Sequence, residues 1–339
     1  MDKVIIIAEA GVNHNGELEN ALKLIQIAAE AGADYIKFQT FKADKIVSKN
    51  AKKAQYQIDN INDGDNSQYE MLKKLEMPLE WYPELLAKSD ELGVKFLSTG
   101  FDEDSIDFLD ELGVDFFKIP SGEIINRDYL VHIAKKGKPI VLSTGMANLE
   151  EISAALDIFL NEGISTSNII ILHCNTEYPT PFEDVNLYAM HSIRDAFNVK
   201  IGYSDHTKGI EVSIAAVALG ASVIEKHFTI SREMVGPDHA ASLEPDELKE
   251  MVKSIRNIEK AISGTGIKKP SYSELKNVLI VRKSLHYSRD LEKGELITNS
   301  DLIALRPGSG LSPMKIEEIT GKSLKVAVKA LQMVDLNDL

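Results

Sequence analysis

The sequence predicts an α/β fold, a (β/α)8 TIM barrel followed by a small β-rich module. Three observations predict it. Eight short apolar runs alternate with amphipathic, helix-like segments. Glycine follows several of those segments, where a left-handed C-cap residue ends a helix. The alternation stops near Gly264, where "SGTGIKKPSYSE" reads as a linker. Strands alternating with helices imply parallel pairing, and eight of them suit a closed barrel. A doubly wound open sheet is the competing arrangement.

The runs occur in order: VIIIAEA (4–10), YIKFQT (35–40), KFLSTG (95–100), FFKIPSG (116–122), PIVLSTG (139–145), IIILHC (169–174), VKIGYSD (199–205) and SVIEKHF (222–228). Between them, Glu19 to Ala31 places Leu22, Ile25 and Ala29 on one face and ends at Gly32. Leu149 to Leu160 follows a candidate N-cap, Asn148, and ends near Gly163; Ile210 to Leu219 ends at Gly220. The stretch from Phe41 to Pro78 is polar and turn-rich, and reads as a long lid or binding loop. These patterns divide the chain into a catalytic domain over 1–265, a linker over 266–281 and a β-rich module over 282–339.

Composition narrows the function classes. Of 339 residues, 44% are hydrophobic and 27% charged, as in ordinary globular chains. A net charge of -14 argues against a nucleic-acid surface, which needs clustered Lys and Arg. It leaves room for an anionic ligand held by a few cations in one pocket. The single cysteine, Cys174, permits no intrachain disulfide, which fits a cytoplasmic location. The first apolar run is interrupted by Glu9 and is too short for a signal peptide or membrane span.

In a barrel of this type, chemistry sits where strands end and βα loops begin. Polar residues gather there: Glu9, Asn13 and His14 after the first run, then Lys37 and Gln39, and then Ser98 and Thr99. The fourth run gives Lys118 and Ser121 with Glu123 just after it, and the fifth gives Ser143 and Thr144. His173 to Thr176 close the sixth, Ser204, Asp205 and His206 the seventh, and Glu225, Lys226 and His227 the eighth. A single strand-end Ser or Thr is usually a turn residue, and Glu225 and Lys226 have a plain reading as a rim pair. Convergence from all eight runs is harder to explain that way. Lys37 and Lys118, with the hydroxyls of Ser121, Ser143 and Ser204, suit a phosphate or carboxylate. His206 and His227, from adjacent strands, suit one divalent metal. Glu9 and Glu123 suit acid–base work or sugar hydroxyls. Tyr178, in "EYPTP", closes over a ligand or packs beside Pro179. A Schiff base on Lys118 or Lys37, as in barrel aldolases, is the competing chemistry.

The ordered motifs "AEAGVNHNG", "KFQTFKADKIV", "KIPSGE", "LSTGM", "HCNTEYPTPFEDVN", "YSDHT", "EKHFT", "GPDHAASLEPDEL" and "RPGSG" closely resemble the bacterial sialic acid synthase family. The resemblance spans both domains, and the module over 282–339 resembles an antifreeze-like (SAF) domain. It implies condensation of phosphoenolpyruvate with N-acetylmannosamine to give N-acetylneuraminate and phosphate, using a divalent metal, commonly manganese. It implies His206 and His227 as metal ligands that let the ion polarise the sugar aldehyde. Lys37, Lys118, Ser121, Ser143, Tyr178 and Ser204 match phosphoenolpyruvate-binding positions. Thr99 and Thr176 stand beside them as substrate-binding positions, Thr176 aligning with an asparagine of some members. Glu9 and Asp238 match positions holding sugar hydroxyls, and Glu123 a carboxylate that helps activate water. Arg306 matches an arginine that the SAF domain of one subunit inserts into its partner's site, which implies a homodimer. Gly100 replaces a proline common in relatives. "KFQTFKAD" is the form shared with relatives making legionaminic acid, so the same reaction on 2,4-diacetamido-2,4,6-trideoxymannose is the alternative. A non-enzymatic carbohydrate- or ice-binding protein, suggested by the small module alone, leaves the polar rim unexplained.

Overall fold

The computed structural model describes residues 3–61 and 63–339. The described chain divides into two compact units, one running to Ser263 and the other from Gly264 to Leu339. The first is an eight-stranded parallel barrel. Its strands are β1 (Ile5–Gly11), β2 (Tyr35–Thr40), β3 (Lys95–Gly100), β4 (Phe117–Ile119), β5 (Ile140–Ser143), β6 (Ile169–Cys174), β7 (Lys200–Asp205) and β8 (Val223–His227). Hydrogen bonds run through the order β3-β2-β1-β8-β7-β6-β5-β4, and β3 lies beside β4 to close the ring. β4 is the shortest strand because Pro120 lacks the N–H a ladder needs.

Among the described residues this unit holds eleven α-helices: α1 (Leu18–Ala31), α2 (Ala43–Ile46), α3 (Gln55–Ile61), α4 (Gln68–Leu75), α5 (Tyr82–Leu92), α6 (Glu103–Leu112), α7 (Arg127–Ala134), α8 (Leu149–Asn161), α9 (Ala189–Phe197), α10 (Glu211–Ala218) and α11 (Pro245–Ile262). Local chemistry sets their ends. Asn148 accepts from the Glu151 amide at 2.9 Å while the Glu151 carboxylate accepts from the Asn148 amide at 2.9 Å, a reciprocal cap that starts α8. Gly32, at φ 80°, turns its N–H back to the last carbonyls of α1. The outer core is the inner stripe of these helices against outward strand residues, including Leu24, Ile25 and Ala28 of α1 and Leu248, Met251 and Ile255 of α11.

The β2–β3 connection is not a bare loop. It carries α2, α3 and α4, and Val12, Phe41, Met71 and Leu75 form a small apolar cluster of their own. The segment expected as a linker over 266–281 likewise carries a helix, α12 (Tyr272–Val281), begun by a reciprocal cap between Ser271 and Glu274. Beyond it, β9 (Ser284–Tyr287) and β10 (Leu302–Leu305) pair antiparallel, and Leu285, Tyr287, Leu291, Ile297 and Leu324 form a separate small core.

No helix among the described residues is long and apolar enough to cross a membrane.

Candidate active site

A cavity of about 200 Å³ opens at the C-terminal end of the barrel strands. Its wall includes Glu9, Lys37, Thr99, Lys118, Ser121, Ser143, Thr176, Tyr178, Ser204, His206 and His227. Eleven side chains expected from the sequence are therefore brought together, from seven strands and the loops after β4, β6 and β7. Gln39, Cys174 and Glu225 complete much of the polar lining.

The floor is a buried quartet of alternating charge. Lys37 Nζ lies 2.7 Å from Glu9 Oε2 and 3.4 Å from Glu225 Oε2. Lys118 Nζ lies 3.4 Å from Glu225 Oε1. Lys37 also donates to Thr99 Oγ1 at 3.0 Å, and Ser204 Oγ to Glu225 Oε1 at 3.0 Å. In so dry a site, an unpaired charge is costly, so each titration follows its neighbours. Burial raises Glu9 to about 7, against the pull of Lys37. Burial also opposes ionisation of Glu225, but Lys118 and Lys37 outweigh it and hold its carboxyl well below the usual range. Burial lowers Lys118, the direction a Schiff-base lysine needs, while Glu225 resists it. For Lys37 the carboxylates prevail over burial and raise it.

Glu225, named at the strand ends but read only as half of a rim pair, is the hub of this quartet. β-strand geometry explains both this and the "EKH" run. Successive side chains alternate faces, so Glu225 and His227 face the cavity while Lys226 points the other way. Glu225 and Lys226 do not pair with each other: Lys226 Nζ lies 3.0 Å from Asp205 Oδ2, with both side chains fully buried.

The two histidines meet across β7 and β8, with ring centroids 5.6 Å apart. Burial lowers His206 to about 4 and His227 well below its ordinary value, so both imidazoles are neutral at pH 7. Neutral imidazole is the form that binds a metal. His206 Nδ1 lies against the Asn175 carbonyl and its Nε2 is 3.0 Å from Tyr178 Oη. His227 Nδ1 is buried with no hydrogen-bond partner, an orphaned nitrogen that would suit a metal ligand. No group of three or more His, Cys, Asp or Glu suited to an ion occurs among the described residues. The two neutral imidazoles are a donor set that would suit a divalent ion.

Tyr178 stacks on His206, centroids 4.0 Å apart, and Tyr56 from α3 stacks on Tyr178 at 5.3 Å. The α3 helix is also tied to the β8–α11 connection, where Asn60 Nδ2 donates to the Pro237 carbonyl at 2.7 Å. Tyr56 went unnoticed in the sequence because nothing marks one tyrosine in a polar stretch. Ser121 Oγ accepts from the Gly145 amide at 2.9 Å and lies 3.3 Å from Cys174 Sγ.

Three expected residues lie outside the cavity wall. Glu123 stands at the rim, its Oε2 accepting from Asn126 Nδ2 at 2.7 Å. Asp238 is buried next to the Pro237 tie, and burial raises it to about 6. Arg306 belongs to the second unit, where its Nε donates to the Val281 carbonyl at 3.1 Å. Gly100 has a packing reason: a Cβ there would meet Ile106 Cδ1 at 2.8 Å and the Ile106 amide at 3.2 Å, at the start of α6.

Comparisons with known proteins agree with this architecture. The NeuB family model matches residues 24–268 and the SAF domain model residues 282–339. An N,N'-diacetyllegionaminic acid synthase of Campylobacter jejuni is 56% identical over 95% of this chain and 96% of its own length. A second protein of that name, from Legionella pneumophila, is 50% identical over 96% of this chain and 91% of its own. Among solved structures, the N-acetylneuraminic acid synthetase of Leptospira borgpetersenii, in complex with citrate, superposes with a TM-score of 0.70 at 36% identity, covering 82% of this chain and 90% of that one. With a matching cavity-bearing barrel and SAF module, the chain belongs to the NeuB family.

Proposed function

We propose that this protein condenses phosphoenolpyruvate with 2,4-diacetamido-2,4,6-trideoxymannose, giving N,N'-diacetyllegionaminate and phosphate. The observation that carries the sugar is identity: 56% and 50% to two N,N'-diacetyllegionaminic acid synthases, against 36% to an N-acetylneuraminic acid synthetase. This favours the alternative drawn from the sequence over N-acetylmannosamine.

In the proposed reaction the methylene carbon C3 of phosphoenolpyruvate bonds to the sugar's aldehyde carbon, and the aldehyde oxygen takes a proton. Water adds to C2 of phosphoenolpyruvate, the carbon that bears the phosphate, giving up one proton as it adds and the second to the departing phosphate. The C–O bond to phosphate then breaks, leaving a ketone. Lys37 and Lys118, with Ser121, Ser143 and Ser204, hold the phosphoenolpyruvate anions as fixed donors. Glu9, raised to about 7, is the cavity carboxyl best poised to pass a proton at neutral pH. A divalent ion, manganese by the family resemblance, would be held by His206 and His227 and would supply Lewis acidity at the aldehyde. Arg306 of a second copy is proposed to complete the site in a homodimer. Exposed Tyr272, Leu275 and Leu279 on α12 give such a dimer apolar surface to cover.

The test is a direct assay of phosphate release with each sugar. A kcat/KM for the diacetamido sugar at least tenfold above that for N-acetylmannosamine is expected; the reverse order returns the assignment to N-acetylneuraminate.

Asp238 gives a pH signature. Its carboxyl, raised to about 6, is a stronger acceptor for sugar hydroxyls when ionised than when protonated. The KM for sugar should therefore climb as pH falls through 6, two units above where an ordinary Asp would act. Steady-state kinetics from pH 5 to 8 check this, and Asp238→Asn should abolish the inflection.

A further inference from the structure

The geometry points to the Asp205–Lys226 pair as a positioning clamp for the two imidazoles, an inference that rests on the metal-site reading above. The pair lies on the outer side of the strands, away from the cavity, and both side chains are fully buried. Asp205 and Lys226 are register partners across β7 and β8, and each stands one residue before a histidine of the site.

Every bond of the cluster lands beside one of those histidines. Lys226 Nζ donates to the Thr207 carbonyl at 2.5 Å and lies 3.0 Å from Asp205 Oδ2. Asp205 Oδ1 accepts from the Thr207 amide at 2.9 Å and from Thr207 Oγ1 at 2.7 Å. Ser213 Oγ, from α10, donates to Asp205 Oδ2 at 2.7 Å. Residues 205 and 207 bracket His206, and residue 226 precedes His227. The cluster therefore locks the chain on both sides of one ring to the chain leading into the other.

A purely structural role explains this poorly. A fully desolvated ion pair is often no better for stability than apolar residues of similar volume. What it supplies is direction: a charged, multiply bonded node fixes backbone orientation where an apolar contact would allow sliding. Metal sites depend on groups behind the ligands for this purpose. Lys226 and Asp205 act through the histidines and touch no substrate.

The experiment titrates Mn2+ into metal-free wild type, Lys226→Met and His227→Ala, following free Mn2+ by its paramagnetic resonance signal. Cooperative melting of the metal-free proteins is checked first. Lys226→Met is expected to bind Mn2+ at least tenfold more weakly than wild type, with turnover recovering as Mn2+ is raised. A folded Lys226→Met that binds like wild type, while His227→Ala does not bind, overturns the clamp and leaves the metal reading standing. Absence of Mn2+ binding by wild type overturns both. If Lys226→Met fails to fold, Ser213→Ala removes a single neutral donor from Asp205. An affinity about threefold weaker supports the clamp, and an unchanged one overturns it.

Discussion

Replacing Lys118 by methionine is expected to lower kcat/KM by about a thousandfold, the scale on which one preorganised donor to a developing or departing anion acts. The substitution does two things at once. It removes a buried cation from the proposed phosphoenolpyruvate cradle, and it strips Glu225 of one of its two lysines, 3.4 Å away. Leaving a buried charge half-compensated costs on the order of 3 kcal/mol. A second change separates the effects. Lys118→Met with Glu225→Gln should regain most of the lost melting temperature, because the orphaned carboxylate is gone, yet remain inactive, because the cation is still missing. Thermal melts and steady-state kinetics on the two variants check it. If the second change restores no stability, the quartet is not electrostatically coupled. Borohydride with pyruvate should leave Lys118 of the wild type unmodified, whereas covalent trapping there would favour the aldolase chemistry.

His227→Ala should abolish metal-dependent turnover while leaving the barrel folded. His227 closes β8 at the cavity, and its Nδ1 has no hydrogen bond to lose. Its removal thus deletes a proposed ligand without orphaning a protein partner. Activity is expected to fall at least about a thousandfold, the size of several kcal/mol of charge stabilisation, with far-UV circular dichroism unchanged. A chelator should bring wild type to the same floor and Mn2+ should rescue it. Full turnover in the variant, or in stripped enzyme, removes the metal from the proposal.

Much of the fold is legible in the sequence. All eight strands were visible because buried parallel strands must be apolar on both faces, and their observed bounds fall within a few residues of the apolar runs. Lys37, Lys118 and the two histidines stand at strand ends in the sequence, and the fold gathers them around one cavity. What escaped depends on partners distant in sequence. Glu225 reads as half of a rim pair until strand alternation turns Lys226 to the opposite face, a rule available from sequence but needing the strand's register to name Lys37 and Lys118 as its partners. The short helices α2 to α4 escaped because they are only four to eight residues long, with little apolar periodicity. Glu123, expected both from its place after a strand and from the resemblance, turns its carboxylate to Asn126.

The column of rings formed by Tyr56, Tyr178 and His206 ties together parts of the chain 150 residues apart. Anything that reseats Tyr178 changes what Tyr56 rests on, so the segment between the second and third strands can sense whether the chamber below is filled. The resistance of that segment to a protease would then serve as an occupancy gauge, readable without turnover.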